Sequence, residues 1–89
     1  MNSMEGKKLI KIKLFGVLRE NMNSKYLILY INNDAITIRE LKKRVNKLYP
    51  SLNLNNKVVF TFNKKICYKE NTVVNHDDEI SILPPISGG

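Results

Sequence analysis

Residues Thr37–Pro50 read TIRELKKRVNKLYP. Thr37 with Glu40 three residues later is a capping box, in which the threonine oxygen and the carboxylate satisfy free amides of a first helical turn. Ile38, Leu41, Val45 and Leu48 recur at spacings of three and four, so one stripe is apolar while Arg39, Lys42, Lys43 and Arg44 face water. Pro50 stops the helix, because the residue before a proline is pushed out of the helical region. A single amphipathic helix needs a surface against which to hide its stripe.

The flanking segments supply one. From Leu9, the residues Ile10, Ile12 and Leu14 alternate with Lys11, Lys13 and Phe15, the period of a half-buried strand with Phe15 as the odd member. After Gly16, Val17–Met22 is read as a helical turn or two. Tyr26–Ile31 form a second strand, closed by the turn-prone Asn32-Asn33-Asp34. Beyond a loop at Ser51–Asn56, Val58–Phe62 reads as a third strand, Asn63-Lys64-Lys65 as a tight connection, Ile66-Cys67-Tyr68 as a fourth, and Glu79–Leu83 as the last, with Ile80 and Ile82 opposed to Ser81 and Leu83. The order β, β, α, β, β, β gives a two-layer α+β domain with one helix packed on a sheet.

The length of 89 residues limits the chain to one domain. A hydrophobic fraction of 43% and a charged fraction of 26% exclude disorder and fibrous repeats. The first eight residues have no apolar h-region, and the run from Leu9 is broken by lysines, so neither export nor membrane spanning is expected. A single cysteine, Cys67, fits a reducing compartment, and a cytoplasmic location is expected. The formal charge of +7 invites a nucleic-acid role, but the lysines are scattered among abundant Asn and Ile, as a coding bias would leave them, and a solvated basic surface is the preferred reading.

The chain closes on HDDEISILPPISGG, His76–Gly89, and opens on KIKLFGVLRE, Lys11–Glu20. A terminal Gly-Gly alone arises by chance in about one chain in 200. Joined to a strand, two prolines and this order of elements, it is specific. In these features, and in the register of TIRELKKRV and FNKKI, the sequence resembles the small-subunit family of molybdopterin synthase, ubiquitin-like sulfur carriers, over about Ile10–Gly89. The family commonly has Asp-Gly-Asp-Glu before the last strand where this chain has His76-Asp77-Asp78-Glu79, so slight strain is expected in that turn.

The resemblance implies a β-grasp fold, a mixed sheet of about five strands on one main helix, with residues 1–8 a disordered extension, 9–83 the domain and 84–89 a free extended tail. It further implies that an adenylating enzyme of the ubiquitin-activating type uses ATP to activate the carboxylate of Gly89, which becomes a thiocarboxylate. The large synthase subunit then receives the tail in a 2:2 heterotetramer, where the sulfur attacks a cyclic pterin phosphate. The chain itself binds no cofactor and no metal on this reading, and by itself shows no catalytic machinery.

The tail suits that task. Gly88 and Gly89 lack a Cβ that would obstruct a narrow channel, and Pro84 and Pro85 hold an extended conformation and withhold amide donors. Ile86 completes the reach, and Ser87 either supplies a hydrogen bond or is a small linker. Six extended residues span roughly 20 Å. Phe15 and Leu83, with Ile66 a further candidate, are read as a partner patch at the tail's root; the alternative for Phe15 is ordinary core under the Val17–Met22 turn. Cys67 is read as a small buried hydrophobe rather than a nucleophile, and His76-Asp77-Asp78-Glu79 as a solvated turn rather than a metal site. Two other roles stay open: a related carrier for thiamine synthesis or tRNA thiolation, and a ubiquitin-like binding module with an unreactive tail.

Overall fold

The computed structural model describes residues 8–52, 58–67 and 69–84. The alternation from Lys8 onward forms β1 (Lys8–Leu14), in which Ile10, Ile12 and Leu14 are fully buried. A helix α1 (Gly16–Met22) follows and closes on Asn23, whose left-handed backbone lets the amides of Asn23 and Ser24 reach the carbonyls of Glu20 and Arg19. β2 (Tyr26–Ile31) pairs antiparallel with β1. β3 (Ala35–Thr37) runs directly into α2 (Ile38–Leu48), and Pro50–Leu52 form one 3-10 turn with Leu52 buried. β4 (Val59–Phe62), β5 (Lys65–Cys67), β6 (Val73–Asn75) and β7 (Ile80–Leu83) complete the chain.

Five strands make one sheet in the order β2-β1-β7-β4-β5, with β1 and β7 parallel at its centre and the other neighbours antiparallel. α2 covers one face, burying Ile38, Leu41 and Val45 against the inward side chains of β1, β2, β4 and β7. This is the expected β-grasp. The hairpin between β4 and β5 turns through Asn63 and Lys64, both at positive φ, the backbone that suits a two-residue connection.

Three features depart from the sequence reading. β3 and β6 pair as a separate two-stranded sheet that the sequence reading did not foresee; each is three residues long and buries only its central side chain, Ile36 or Val74, too little for a period to show. Leu48 is 57% exposed, and Tyr49, the residue that ends α2, takes the next inward place after Val45 and donates its hydroxyl to the Ile28 carbonyl at 3.1 Å. Lys42 and Arg44 do not simply face water: Lys42 pairs with Glu70 at 2.8 Å, and Arg44 donates to the Tyr30 carbonyl at 3.2 Å. Strand ends also move slightly, with β1 taking in Lys8 and β5 taking in Lys65, while Tyr68 lies outside the described residues.

The start of α2 is held twice. Thr37 Oγ1 accepts from the Glu40 amide at 3.1 Å, the expected cap, and the amides of Ile38 and Arg39 donate to the carbonyls of Thr72 and Glu70. The Glu70 carboxylate accepts from Lys42 and lies 3.5 Å from Arg39 Nε. The hydrogen bond and charge of Lys42 hold Glu70 below the usual carboxylate range, with a smaller contribution from Arg39 and against partial desolvation.

Leu41→Ala should lower the unfolding free energy by about 2–4 kcal/mol, whereas Leu48→Ala should change it by no more than about 0.5 kcal/mol, as read by urea denaturation. Because the folded-state pKa of Glu70 lies below its unfolded value, its stabilising contribution is complete above the unfolded pKa of about 4.3 and is lost as pH falls through the folded value. Glu70→Gln should therefore flatten the acid limb of a melting-temperature profile, losing less stability than the parent below about pH 4.

Candidate functional site

The parallel register places Lys13 beside Ser81 and Leu14 beside Ile82, so β1 and β7 end together. The chain leaves β1 through Phe15 and leaves β7 through Leu83 and Pro84 at the same end of the sheet. Phe15, Leu83 and Pro84 are each half-buried. Phe15 has extended backbone and is the residue before α1. Gly16 then takes φ +60, and a Cβ built there would lie 2.9 Å from Pro84 Cγ. The bend from strand to helix is thus packed directly on the first proline of the tail, and only glycine meets both the backbone and the space. The sequence placed a glycine at this bend; that its neighbour is Pro84 depends on the pairing of the first and last strands.

Paired residues share a face of the sheet. Tyr26, Lys13, Ser81, Thr61 and Ile66 form one row across all five strands, on the face opposite α2. Leu83 pairs with Val59 two residues along from Ser81, and Phe15 extends the same side of β1. The three interface candidates therefore lie on one face, opposite α2 and covered by no other helix or strand among the described residues: Phe15 and Leu83 at the tail root, and exposed Ile66 on the outer strand β5, with β4 between it and β7.

Ser81, which the alternation of the last strand sets on the face opposite Ile80 and Ile82, is nonetheless only 7% exposed. It is the shortest side chain of its row and lies between Lys13 and Thr61 on the neighbouring strands. Tyr26 and Tyr30 are exposed on this face, and neither was singled out from the sequence; their alternation with the buried Leu27, Leu29 and Ile31 was the available signal.

The turn before β7 has no residue at positive φ, so the strain expected of His76-Asp77-Asp78-Glu79 does not arise. Asp78 carries the turn by accepting from the Asn75 amide at 2.7 Å and from Asn63 Nδ2 at 3.2 Å, while Asn63 Oδ1 accepts from the Glu79 amide at 2.9 Å. Among the described residues no three His, Cys, Asp or Glu side chains are grouped to hold a metal ion. Cys67 is half-buried, with its Sγ 3.4 Å from the Lys69 carbonyl, and packs against the core. No helix among the described residues is long and apolar enough to cross a membrane. Pro85, Ile86, Ser87, Gly88 and Gly89 lie outside the described residues.

The sequence from β1 to the last glycine matches one family model as a unit, the ThiS family, over residues 12–89. The chain belongs to the ThiS family. It is 27% identical over 81 residues to the molybdopterin synthase sulfur carrier subunit of Dictyostelium discoideum, covering 89% of this chain and 94% of that protein. Among solved structures it is similar to small archaeal modifier protein 1 from Methanosarcina acetivorans, with a TM-score of 0.71, 25% identity, and coverage of 93% of this chain and 98% of that one. It also shares the ubiquitin-like β-grasp fold with a chain of the protein–protein complex of subunits 1 and 2 of molybdopterin-converting factor from Helicobacter pylori, at a TM-score of 0.61, 21% identity, and coverage of 91% and 99%.

Gly16→Ala should cost about 1–2 kcal/mol from the left-handed backbone alone, with a further loss as the Pro84 ring is displaced; guanidinium denaturation measures the sum, and a change below about 0.5 kcal/mol would remove Gly16 as the brace of the tail root.

Proposed function

We propose that this ThiS-family chain is a sulfur carrier, serving as the small subunit of molybdopterin synthase. The observation that carries the reading is the tail root. The central strand β7 ends beside β1, the Phe15-Gly16 bend packs on Pro84, and the remaining sequence is Pro-Ile-Ser-Gly-Gly. A rigid base and a slender end that lacks side chains at its last two positions suit delivery of a terminal acyl group into a recessed site. The sulfur carrier relative from Dictyostelium and the two-subunit Helicobacter complex support this role and a large-subunit partner.

The chemistry begins with a carboxylate. Its reference pKa of about 3.3–3.7 leaves Gly89 ionised at neutral pH, a nucleophile through oxygen and a poor electrophile at carbon. Attack on the α-phosphate of ATP in an adenylating enzyme releases pyrophosphate and forms an acyl-adenylate. A sulfur donor then displaces AMP to leave the thiocarboxylate, and that sulfur is donated to a cyclic pterin phosphate held by the large subunit. In this scheme Phe15, Leu83 and Ile66 dock the partner while Pro84–Gly88 occupy its channel. The ThiS family match and the likeness to an archaeal modifier protein favour one second reading, a carrier of the same chemistry that serves another sulfur acceptor.

Mass spectrometry of the protein purified from its own cells should find a fraction in which one terminal oxygen is replaced by sulfur. Deletion of Gly89, or Gly88→Val, should abolish that species while leaving the melting temperature unchanged. Full thiocarboxylate formation by either variant contradicts the proposal, and co-purification with the large synthase subunit, or with another acceptor enzyme, separates the two carriers.

A further inference from the structure

Between the outer strand β5 and the 69–72 segment lies an open groove of about 330 Å³, lined by Phe62, Lys65, Ile66, Cys67, Lys69 and Thr72. Its floor is apolar, because Phe62 and Cys67 are half-buried and pack against the core. Its far wall is fixed in advance: the Thr72 amide donates to the Lys69 carbonyl at 3.1 Å, and the carbonyls of Glu70 and Thr72 accept from the first amides of α2. The near wall is a strand with β4 on one side and, among the described residues, no strand on the other. Such an edge offers main-chain donors and acceptors at strand spacing, and a chain laid along it sends alternate side chains to opposite faces of the sheet. One set would enter the groove against Phe62 and Cys67, and the set between would lie beside Ile66, which is 48% exposed.

The charge of the site narrows what fits. Lys65 and Lys69 stand exposed among its lining residues, none of which is acidic. Glu70, the acid nearest in sequence, is committed to Lys42 and Arg39, and among the described residues neither Lys65 nor Lys69 is in an ion pair. A basic segment is repelled here. A second copy of this chain would bring the same two lysines against their counterparts, on a protein that already carries a formal charge of +7. Nucleic acid calls for cations that track successive phosphates, whereas these lysines flank apolar side chains with no arginine among them. We infer that the groove and the open edge of β5 take an extended segment of a partner protein in which apolar residues alternate with carboxylates, added to the sheet as a further strand, with Lys65 and Lys69 as the charged elements of recognition.

The site does not include the tail, so its occupant is tested apart from the carrier reading. A library of random dodecapeptides displayed on phage is selected against the full chain, and the enriched peptides are synthesised. They should alternate apolar residues with Asp or Glu, and should shift the amide resonances of Lys65–Cys67 and Thr72 while leaving those of β2 in place. They should also slow alkylation of Cys67, the chain's single cysteine, by iodoacetamide about threefold or more. Lys65→Glu with Lys69→Glu should weaken their binding about tenfold, and Lys65→Gln with Lys69→Gln should give a smaller loss in the same direction, which separates recognition from any folding defect of the reversal. Lys43→Glu with Lys47→Glu makes the same change in net charge on the exposed side of α2 and should alter affinity less than about twofold. Absence of enrichment, enrichment of basic or wholly apolar peptides, or shifts centred away from β5 overturns the inference while leaving the carrier reading in place. So does unchanged affinity in both Lys65/Lys69 variants, or an equal loss in the α2 variant. Protection of Cys67 on concentrating the chain alone, or by a single-stranded dodecanucleotide as strongly as by the peptides, overturns it in favour of a second copy or of nucleic acid.

Discussion

The parallel pairing of β1 with β7 is the constraint from which the rest of the molecule is arranged. It joins the first and last strands at the centre of the sheet, so the exits of both fall at one end and the bend at Phe15-Gly16 meets Pro84. Remove that register and the tail has no fixed origin. The same pairing seals the interior, since Ile10, Ile12, Leu14, Ile80 and Ile82 are all buried where α2 lies across the two strands. Stability and presentation of the terminus therefore share one set of hydrogen bonds, and a core substitution on either strand will disturb both.

α2 reaches its place through polar contacts as much as apolar ones. Its stripe supplies the burial, but the direction of its axis is fixed at the first turn, where the 69–72 segment gives two carbonyls and the Glu70 carboxylate. These groups are partly open to water, so the ion pairs serve to orient the helix more than to stabilise it.

Much of this was legible in the sequence because local chemistry and tertiary structure agree there. Thr37, Glu40 and Pro50 mark the helix, and alternating residues mark β1 and β2. β3 and β6 escaped because a three-residue strand with one inward side chain has no period. Leu48 and Ser81 escaped for a different reason: the spacing of residues gives a face, but how deeply that face is covered depends on what lies beside it. Tyr49 outcompetes Leu48 because a hydroxyl can also reach the Ile28 carbonyl. At the site, the diglycine end and the apolar Phe15 and Leu83 stood out in the sequence. The packing of Gly16 on Pro84 did not, since the two are 68 positions apart.

The two rims of the sheet are unequal. β2 is an outer strand, yet its outward acceptors at Ile28 and Tyr30 are already taken by Tyr49 and Arg44 reaching over from the helix. Lateral accretion of a foreign strand there must first displace two side-chain donors, a barrier against polymerisation of the kind that exposed β-edges invite. Any widening of the sheet is steered to the short β5, on the far side from that plugged border.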